Sequence, residues 1–162
     1  MAVLIADTNL WVTASGRSSM TSECARGVLR FVADLENGDD RLAVDHKWMI
    51  LGEYYRNLDP QDLAYTILNL FHVQNRIDFC FIEFDRDGIA LVPPTCAIHD
   101  LSDRKLVAVA LAHAAHPPIH NVSDEDWIED EAVLAGCGVQ VIHHCEAELR
   151  RRFEEKQRKS KT

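Results

Sequence analysis

The first ten residues constrain the fold more than any other stretch of the chain. Val3–Ala6 is a run of apolar residues, and Asp7, Thr8 and Asn9 follow it at once. Such a run is typical of a strand that is buried on both faces, as in a parallel sheet. Open parallel sheets bind ligands beyond the carboxyl ends of their strands, so this pattern places the Asp7 carboxylate where chemistry occurs. The alternative is that residues 7–9 only end the strand, because Asp and Asn favour turns.

The rest of the chain alternates between strand and helix patterns. Further strands are predicted at residues 41–44, 77–84, 119–122 and 139–142, and the third of the five strands is expected at an edge of the sheet. Helices are predicted over residues 21–37, 46–58, 59–71, 102–114 and 127–135, and from residue 145 onward, with residues 11–20 as a loop. The alternation predicts an α/β fold, namely a three-layer α/β/α sandwich with a mainly parallel central sheet.

Length and cysteine usage limit the class of protein. A chain of 162 residues is long enough for one domain with a substantial core, which we expect over residues 1–144, followed by a charged helix or tail over residues 145–162. No apolar run approaches the roughly 20 residues of a membrane span, and no secretory signal is evident, so we expect a cytoplasmic protein without a membrane partner. The five cysteines are odd in number and lack Cys-x-x-Cys spacing, which predicts reduced thiols and neither a disulfide framework nor a zinc ribbon.

The net charge of −9 is unevenly distributed. Residues 145–162 contain seven basic and four acidic side chains, so this segment carries +3 and the remainder of the chain −12. An acidic body argues against a surface that grips nucleic acid everywhere, because phosphate contacts need Lys and Arg. The tail is either a solvated helix with too few apolar residues to dock firmly, or a positive arm that attracts RNA phosphates or an acidic partner.

Acidic residues recur where predicted strands end and predicted helices begin. Asp7 closes the first strand, Asp103 lies in the first turn of a helix, and Asp124 follows the strand at residues 119–122. Because the carboxyl ends of parallel strands share one edge of a sheet, these three carboxylates are expected to converge. Glu53, on an otherwise apolar helix face, is the fourth candidate. Crowded carboxylates repel one another unless a cation neutralises them, and Mg²⁺ or Mn²⁺ suits oxygen ligands best.

Each of these acids also has a plain structural explanation. Asp103 and Asp124 could be first-turn acids that the helix dipole favours, and Glu53 could be a solvated helix residue. The coincidence of several acids with Asp7 favours a site over these separate explanations. Asp100 and Asp126 are secondary candidates, as supporting or substitute ligands.

Four blocks of the sequence resemble the PIN domain nucleases. The first is the strand Ile-Ala-Asp-Thr-Asn at residues 5–9, and the second is Glu53 after Leu51 and Gly52 on a helix that follows the second strand. The third is the stretch at residues 99–112 that contains Asp103, and the fourth is Ser-Asp-Glu-Asp at residues 123–126. The resemblance covers residues 3–142 and implies the PIN fold.

The resemblance implies a metal-dependent endoribonuclease that hydrolyses phosphodiester bonds in RNA, in the manner of toxins of the VapC kind or of RNA-processing relatives. Asp7, Glu53, Asp103 and Asp124 would then hold one or two Mg²⁺ or Mn²⁺ ions, and Thr8 or Asn9 would orient a carboxylate or a phosphate. An antitoxin protein and a second copy of the chain are further partners to test. The alternative is an inactive PIN-like scaffold that binds RNA or a protein. The candidates for guiding the RNA backbone are Arg17, Lys47, Arg104 and the basic tail.

Overall fold

The structure is a computed structural model that describes residues 1–162. Its five strands are β1 (Val3–Ala6), β2 (Arg41–Asp45), β3 (Ile77–Cys80), β4 (Ile119–Asn121) and β5 (Val141–His143). Its eight helices are α1 (Thr8–Ala14), α2 (Ser22–Asn37), α3 (Met49–Asn57), α4 (Leu63–Val73), α5 (Arg104–Ala112), α6 (Asp126–Glu129), α7 (Glu131–Gly136) and α8 (Glu146–Ser160). None of these helices combines the length and the apolar character that crossing a membrane requires.

The five strands form one parallel sheet in the order β3-β2-β1-β4-β5. Helices α1 to α4 contact one another, whereas α5 contacts β1, β2 and β4. The central strand β1 lies between β2 and β4, and its residues Leu4, Ile5 and Ala6 are buried as the apolar run predicts. The expected α/β/α sandwich with a parallel sheet is therefore confirmed, with β3 at an edge. All carboxyl ends of the strands point to one edge of this sheet, which we call the carboxyl edge.

The main departure near β1 is helix α1, which occupies part of the stretch predicted as a loop. The Asp7 carboxylate accepts a hydrogen bond from the Asn9 backbone N–H at 3.2 Å and so caps this helix. Leu10 and Trp11 are completely buried in the core. A helix of seven residues shows too little of an apolar repeat to be recognised in sequence, and here capping and tertiary packing determine it.

Several predicted helix boundaries were also wrong. Helix α4 begins at Leu63, because residues 59–62 form a turn in which Asp62 accepts the backbone N–H of Asp59 at 2.7 Å. Ser102 is not the cap it was predicted to be: it lies in a 3₁₀ turn (Leu101–Asp103), where its own N–H donates to Asp100 at 2.8 Å. The helix predicted at residues 127–135 divides at Asp130 into α6 and α7.

The prediction that all cysteines are reduced is wrong for two of them. Cys24 in α2 and Cys145, just before α8, form a disulfide with a Cα–Cα distance of 5.8 Å. They are separated by 121 positions in sequence, so only the fold brings them together. The three remaining cysteines are free thiols: Cys80, Cys96 and Cys137.

Helix α8 is docked on the body through its first turns, although its few apolar residues predicted that it would not dock firmly. Leu149 is completely buried, and the Glu148 carboxylate accepts hydrogen bonds from the backbone N–H and the hydroxyl of Thr21, each at 3.0 Å. Arg152 donates to the hydroxyl and the backbone carbonyl of Ser19. The disulfide and these contacts together fix the start of α8 beside α2, while the last turns remain exposed.

Candidate metal centre

Three carboxylates converge at the carboxyl edge of the sheet. Asp7 follows β1, Asp124 follows β4, and Asp103 lies at the start of α5. One carboxylate oxygen from each of the three side chains lies within 4.8 Å of the other two. The pairing of β1 with β4 fixes the relative positions of Asp7 and Asp124, since the Asp7 backbone N–H donates to the His120 carbonyl at 2.9 Å. We call Asp7, Asp103 and Asp124 the acidic cluster.

A pair of asparagines holds the ends of β1 and β4 together below the cluster. The Asn9 side-chain amide donates to the Asn121 side-chain oxygen at 2.8 Å, and its own oxygen accepts the Val122 backbone N–H at 2.9 Å. The Asn121 amide in turn donates to the Asp124 carbonyl at 2.9 Å. Asn9 therefore fixes the loop that carries Asp124, and its side chain is committed to this support.

The Asp7 carboxylate is buried and carries two hydrogen bonds, yet its pKa is high. One oxygen accepts the Asn9 backbone N–H, and the other accepts the indole N–H of Trp127 at 2.6 Å. Burial raises the pKa of Asp7 to about 6, and the charges of Asp124 and Glu53 add to this rise, while the two hydrogen bonds oppose it. Because this carboxylate titrates near neutral pH, an added positive charge would favour its ionised form.

Asp103 and Asp124 show the same effect. Burial, followed by the negative charges of Asp7 and Asp100, raises the pKa of Asp103 to about 8. Burial is also the main cause that raises the pKa of Asp124. Burial and mutual repulsion therefore raise the pKa of all three neighbouring carboxyls, and a nearby positive charge would oppose this rise.

Glu53 lies beside the acidic cluster and is held by different partners. One of its oxygens accepts the Thr8 hydroxyl at 2.6 Å, and the other lies 2.8 Å from the Lys105 ammonium. Burial raises the pKa of Glu53, but the hydrogen bonds from Lys105 and Thr8 outweigh burial and lower it overall. The pKa of Glu53 is thus shifted in the direction opposite to those of the cluster, and Thr8 orients its carboxylate. Its oxygens are not among the three that converge.

The two secondary candidates also lie outside the three converging oxygens. The Asp100 carboxylate accepts the Ser102 backbone N–H at 2.8 Å and the Ser102 hydroxyl at 2.6 Å. Asp126 contributes its backbone N–H, which donates to the Asp124 carboxylate at 2.9 Å. Asp100 therefore shapes the turn that leads to Asp103, and Asp126 orients Asp124 through its main chain. Their predicted role as ligands stays a prediction.

Three residues of the site were not predicted from the sequence. Trp127 donates to Asp7, Lys105 pairs with Glu53, and the Tyr54 hydroxyl donates to the Ala6 carbonyl at the end of β1. Lys105 follows Asp103 by two positions, so a lysine in the first turn of the helix was a usable signal. Trp127 and Tyr54 looked like ordinary core aromatic residues, and nothing in the sequence distinguishes their polar atoms.

The donor set fits a hard divalent cation. It offers only carboxylate oxygens, which suit Mg²⁺ or Mn²⁺, and it contains no thiolate or imidazole that would favour a softer metal. Asp7 and Asp103 are buried, Asp124 is half-buried, and the pKa of each carboxyl is raised, so a cation would relieve the repulsion between their ionised forms. The residues that would hold the ion are Asp7, Asp103 and Asp124. Glu53 lies beside them but is not one of the three converging side chains.

The raised pKa of Asp103 predicts that the metal-free protein loses stability as the pH rises. In the unfolded chain this carboxyl has its ordinary pKa of 3.8, whereas in the folded protein it keeps its proton until about pH 8. The free energy of unfolding therefore falls by up to about 1.4 kcal/mol for each pH unit between these two pKa values. In chelator we expect the melting temperature to fall by roughly 2–4 °C per pH unit between about pH 6.5 and pH 8. Differential scanning calorimetry measures this slope.

The choice of pH range and a matched variant isolate the effect of Asp103. Burial lowers the pKa of three histidines in or next to β4 and β5, namely His120, His143 and His144. Below about pH 6.5 their contribution to the free energy of unfolding increases as the pH rises, so it opposes the contribution of Asp103. Asp103→Asn should flatten the slope above about pH 6.5, and Mn²⁺ should flatten it in the wild type. A wild-type slope that persists in Asp103→Asn would show that another group causes it.

Comparison with known proteins finds no matching family model, no curated relative and no similar solved structure.

Proposed function

We propose that the protein is a metal-dependent endoribonuclease that hydrolyses phosphodiester bonds in RNA. The observation that supports it is the convergence of Asp7, Asp103 and Asp124 at the carboxyl edge of a parallel sheet, with oxygens within 4.8 Å of one another. These are three of the four positions that the resemblance to PIN domain nucleases singles out. Glu53, the fourth, borders the cluster and its pKa is lowered.

Each residue of the centre has a role in this proposal. Asp7, Asp103 and Asp124 hold Mg²⁺ or Mn²⁺, while Trp127 keeps Asp7 in place through its indole N–H. An ion held by these residues would supply positive charge that favours deprotonation of an attacking water and stabilises the charge that grows on the phosphate oxygens. Glu53, which Thr8 and Lys105 keep ionised and oriented, accepts a hydrogen bond from that water.

The cations that were expected to guide the RNA backbone differ in their availability. The Arg17 guanidinium is paired with Asp62 at 2.8 Å, and Arg104 donates to the Ile98 carbonyl at 3.1 Å. Lys47 is exposed, forms no ion pair and lies 5.3 Å from the centre of the Phe84 ring. Lys47 is therefore the best placed of the three to contact a phosphate.

A more specific version of this function is a toxin of a toxin–antitoxin pair. It rests on the resemblance alone, as do an antitoxin protein and a homodimer as partners. A small neighbouring reading frame that encodes a DNA-binding protein would support it, and co-purification of the two proteins would test the pairing.

The second candidate function is a PIN-like scaffold that binds RNA or a protein without cleaving RNA. The ion pair between Lys105 and Glu53 favours it, because a buried ammonium already compensates part of the negative charge at the centre. A scaffold of this kind would need no metal. The two candidates therefore differ in whether the acidic cluster binds Mn²⁺ and whether RNA is cut.

Cleavage of labelled single-stranded RNA separates them. A nuclease cuts the RNA with Mn²⁺ or Mg²⁺ and stops when a chelator is added, whereas a scaffold leaves the RNA intact under both conditions. Cleavage that continues in excess chelator would contradict the metal-dependent mechanism.

A further inference from the structure

Two groups of stacked aromatic side chains, each with exposed members, lie along the edge strand β3 and the turn after β2. The Trp48 ring stacks on His72 with ring centres 5.1 Å apart and on Phe79 at 5.8 Å. The His46 ring stacks on Phe81 at 4.4 Å. Phe79 and Phe81 lie two positions apart on or just after an edge strand, so they share one face of the sheet. The Tyr55 ring stacks on His72 with ring centres 6.4 Å apart, and His46, Tyr55 and His72 are half-buried. We call the following residues the aromatic strip: His46, Trp48, Tyr55, His72, Phe79 and Phe81.

The strip is exposed where a folded chain would ordinarily bury such side chains. Trp48 is 50% exposed, Phe79 47% and Phe81 74%. The other two tryptophans, Trp11 and Trp127, are almost completely buried. A contiguous exposed patch of large aromatic side chains marks a surface for binding.

The backbone that presents Trp48 is held in an unusual conformation. Trp48 has φ +64°, in the left-handed region that a bulky residue rarely adopts. The buried Asp45 carboxylate fixes this turn, since it accepts the backbone N–H groups of Lys47 and Met49 at 3.0 Å and of Ile50 at 2.8 Å. Such conformations in bulky residues are enriched at functional sites, and this one lies at a half-exposed tryptophan.

The strip adjoins the acidic cluster. His46 and Trp48 follow the carboxyl end of β2, and Phe81 follows that of β3, so these residues lie at the same edge of the sheet as Asp7. Helix α3 links the two sites, because Trp48 precedes it and Glu53 lies five residues later, about 7.5 Å along the helix axis.

The polar groups around the strip suit a polyanion. Lys47 is exposed, and the Arg56 guanidinium lies back along α3, 3.3 Å from the position that a Cβ of Gly52 would occupy. Gly52 follows Trp48 by one helical turn, and a side chain there would approach this guanidinium closely. Rings interleaved with cations are the composition of a surface that binds single-stranded nucleic acid.

We propose that the aromatic strip binds unpaired bases of single-stranded RNA by stacking, with Lys47 and Arg56 contacting the phosphates, and leads the strand to the acidic cluster. This inference rests on the proposed nuclease function for its substrate, but base stacking itself needs no metal. Imidazole and indole rings offer flat faces to a base, which aliphatic side chains at a protein interface would not. A second copy of the chain, or a protein strand added to β3, is the competing occupant.

Tryptophan fluorescence tests this inference, because Trp48 is the exposed tryptophan. The full chain is titrated in chelator with an unstructured oligouridine, so that no RNA is cut. We expect quenching of the emission, and a loss of affinity of about tenfold in Trp48→Ala when binding is followed with a labelled oligomer. The salt dependence should keep its slope in Trp48→Ala, whereas Lys47→Ala should flatten it by about one unit.

Leu29→Ala is the matched control, since it removes an exposed apolar side chain from α2 and should leave affinity unchanged. Duplex RNA should not quench the emission. Wild-type affinity in Trp48→Ala, or quenching by the duplex equal to that by the single strand, would overturn the inference. So would sedimentation that shows a dimer which Trp48→Ala dissociates. RNA binding without cleavage would support the aromatic strip as an RNA-binding surface and would contradict only the proposed nuclease function.

Discussion

Asp103→Asn should reduce metal-dependent RNA cleavage by at least about a thousandfold, while the protein stays folded. The amide keeps the size of the side chain but removes one of the three charges that would hold the cation. The cation contributes several kcal/mol to transition-state stabilisation, and about 4 kcal/mol corresponds to a thousandfold change in rate. Single-turnover cleavage of labelled RNA in Mn²⁺ measures the loss.

Asp100→Asn is the matched control for this variant. Asp100 lies three residues away and its carboxylate accepts hydrogen bonds from Ser102, outside the three converging oxygens. It should therefore retain most of the cleavage. The Asp103→Asn protein should also melt no lower than the wild type at about pH 8 in chelator, since the substitution removes a carboxyl that burial destabilises when it is ionised. Wild-type cleavage by Asp103→Asn would transfer the role to Asp100 or end the nuclease proposal.

Reduction of the disulfide between Cys24 and Cys145 should cause the largest loss of stability. The bond closes a loop across 121 positions, and constraint of the unfolded chain over such a loop stabilises the fold by about 4–5 kcal/mol. The melting temperature should therefore fall by roughly 10–15 °C when a reductant is added. Thermal melts with and without dithiothreitol measure this difference.

Two cysteine variants check the origin of that loss. Cys24→Ser should melt at the temperature of the reduced wild type and should not respond to reductant. Cys137→Ser replaces a half-buried free thiol that donates to the Leu134 carbonyl, so it should keep the full response. Equal melting temperatures of the oxidised and reduced wild type would show that contacts such as Leu149 and Glu148 hold α8 without the bond.

Local patterns were enough to predict the strands and the parallel character of the sheet, but not the order of the strands. The apolar run of β1, the Thr21 cap of α2 and the strand at β2 are each set by a few adjacent residues, and the alternation of strands and helices implied a parallel sheet. Because parallel strands share a carboxyl edge, the convergence of Asp7, Asp103 and Asp124 followed from the layout. The boundaries of helices and strands were less predictable. Helix α1, for example, depends on the tertiary packing of Leu10 and Trp11.

Contacts between residues distant in sequence were not predictable. The pairing of Cys24 with Cys145 depends on how α8 returns to α2, and no spacing rule encodes a separation of 121. The ion pair that keeps Glu53 ionised joins α3 to α5. The hydrogen bond from Trp127 to Asp7 similarly joins the segment after β4 to the end of β1. Such partners become visible only when the elements are assembled.

Anomalous scattering from crystals grown with Mn²⁺ tests most directly whether the acidic cluster is a metal centre. We predict a manganese peak bonded to carboxylate oxygens of Asp7, Asp103 and Asp124 in the wild type, and its loss in Asp7→Asn under the same conditions. Crystals of the two proteins at about pH 8 are the fair comparison, because protons then compete least with the metal. Wild-type crystals in saturating Mn²⁺ with no peak between these three side chains would contradict the metal centre and the nuclease built on it.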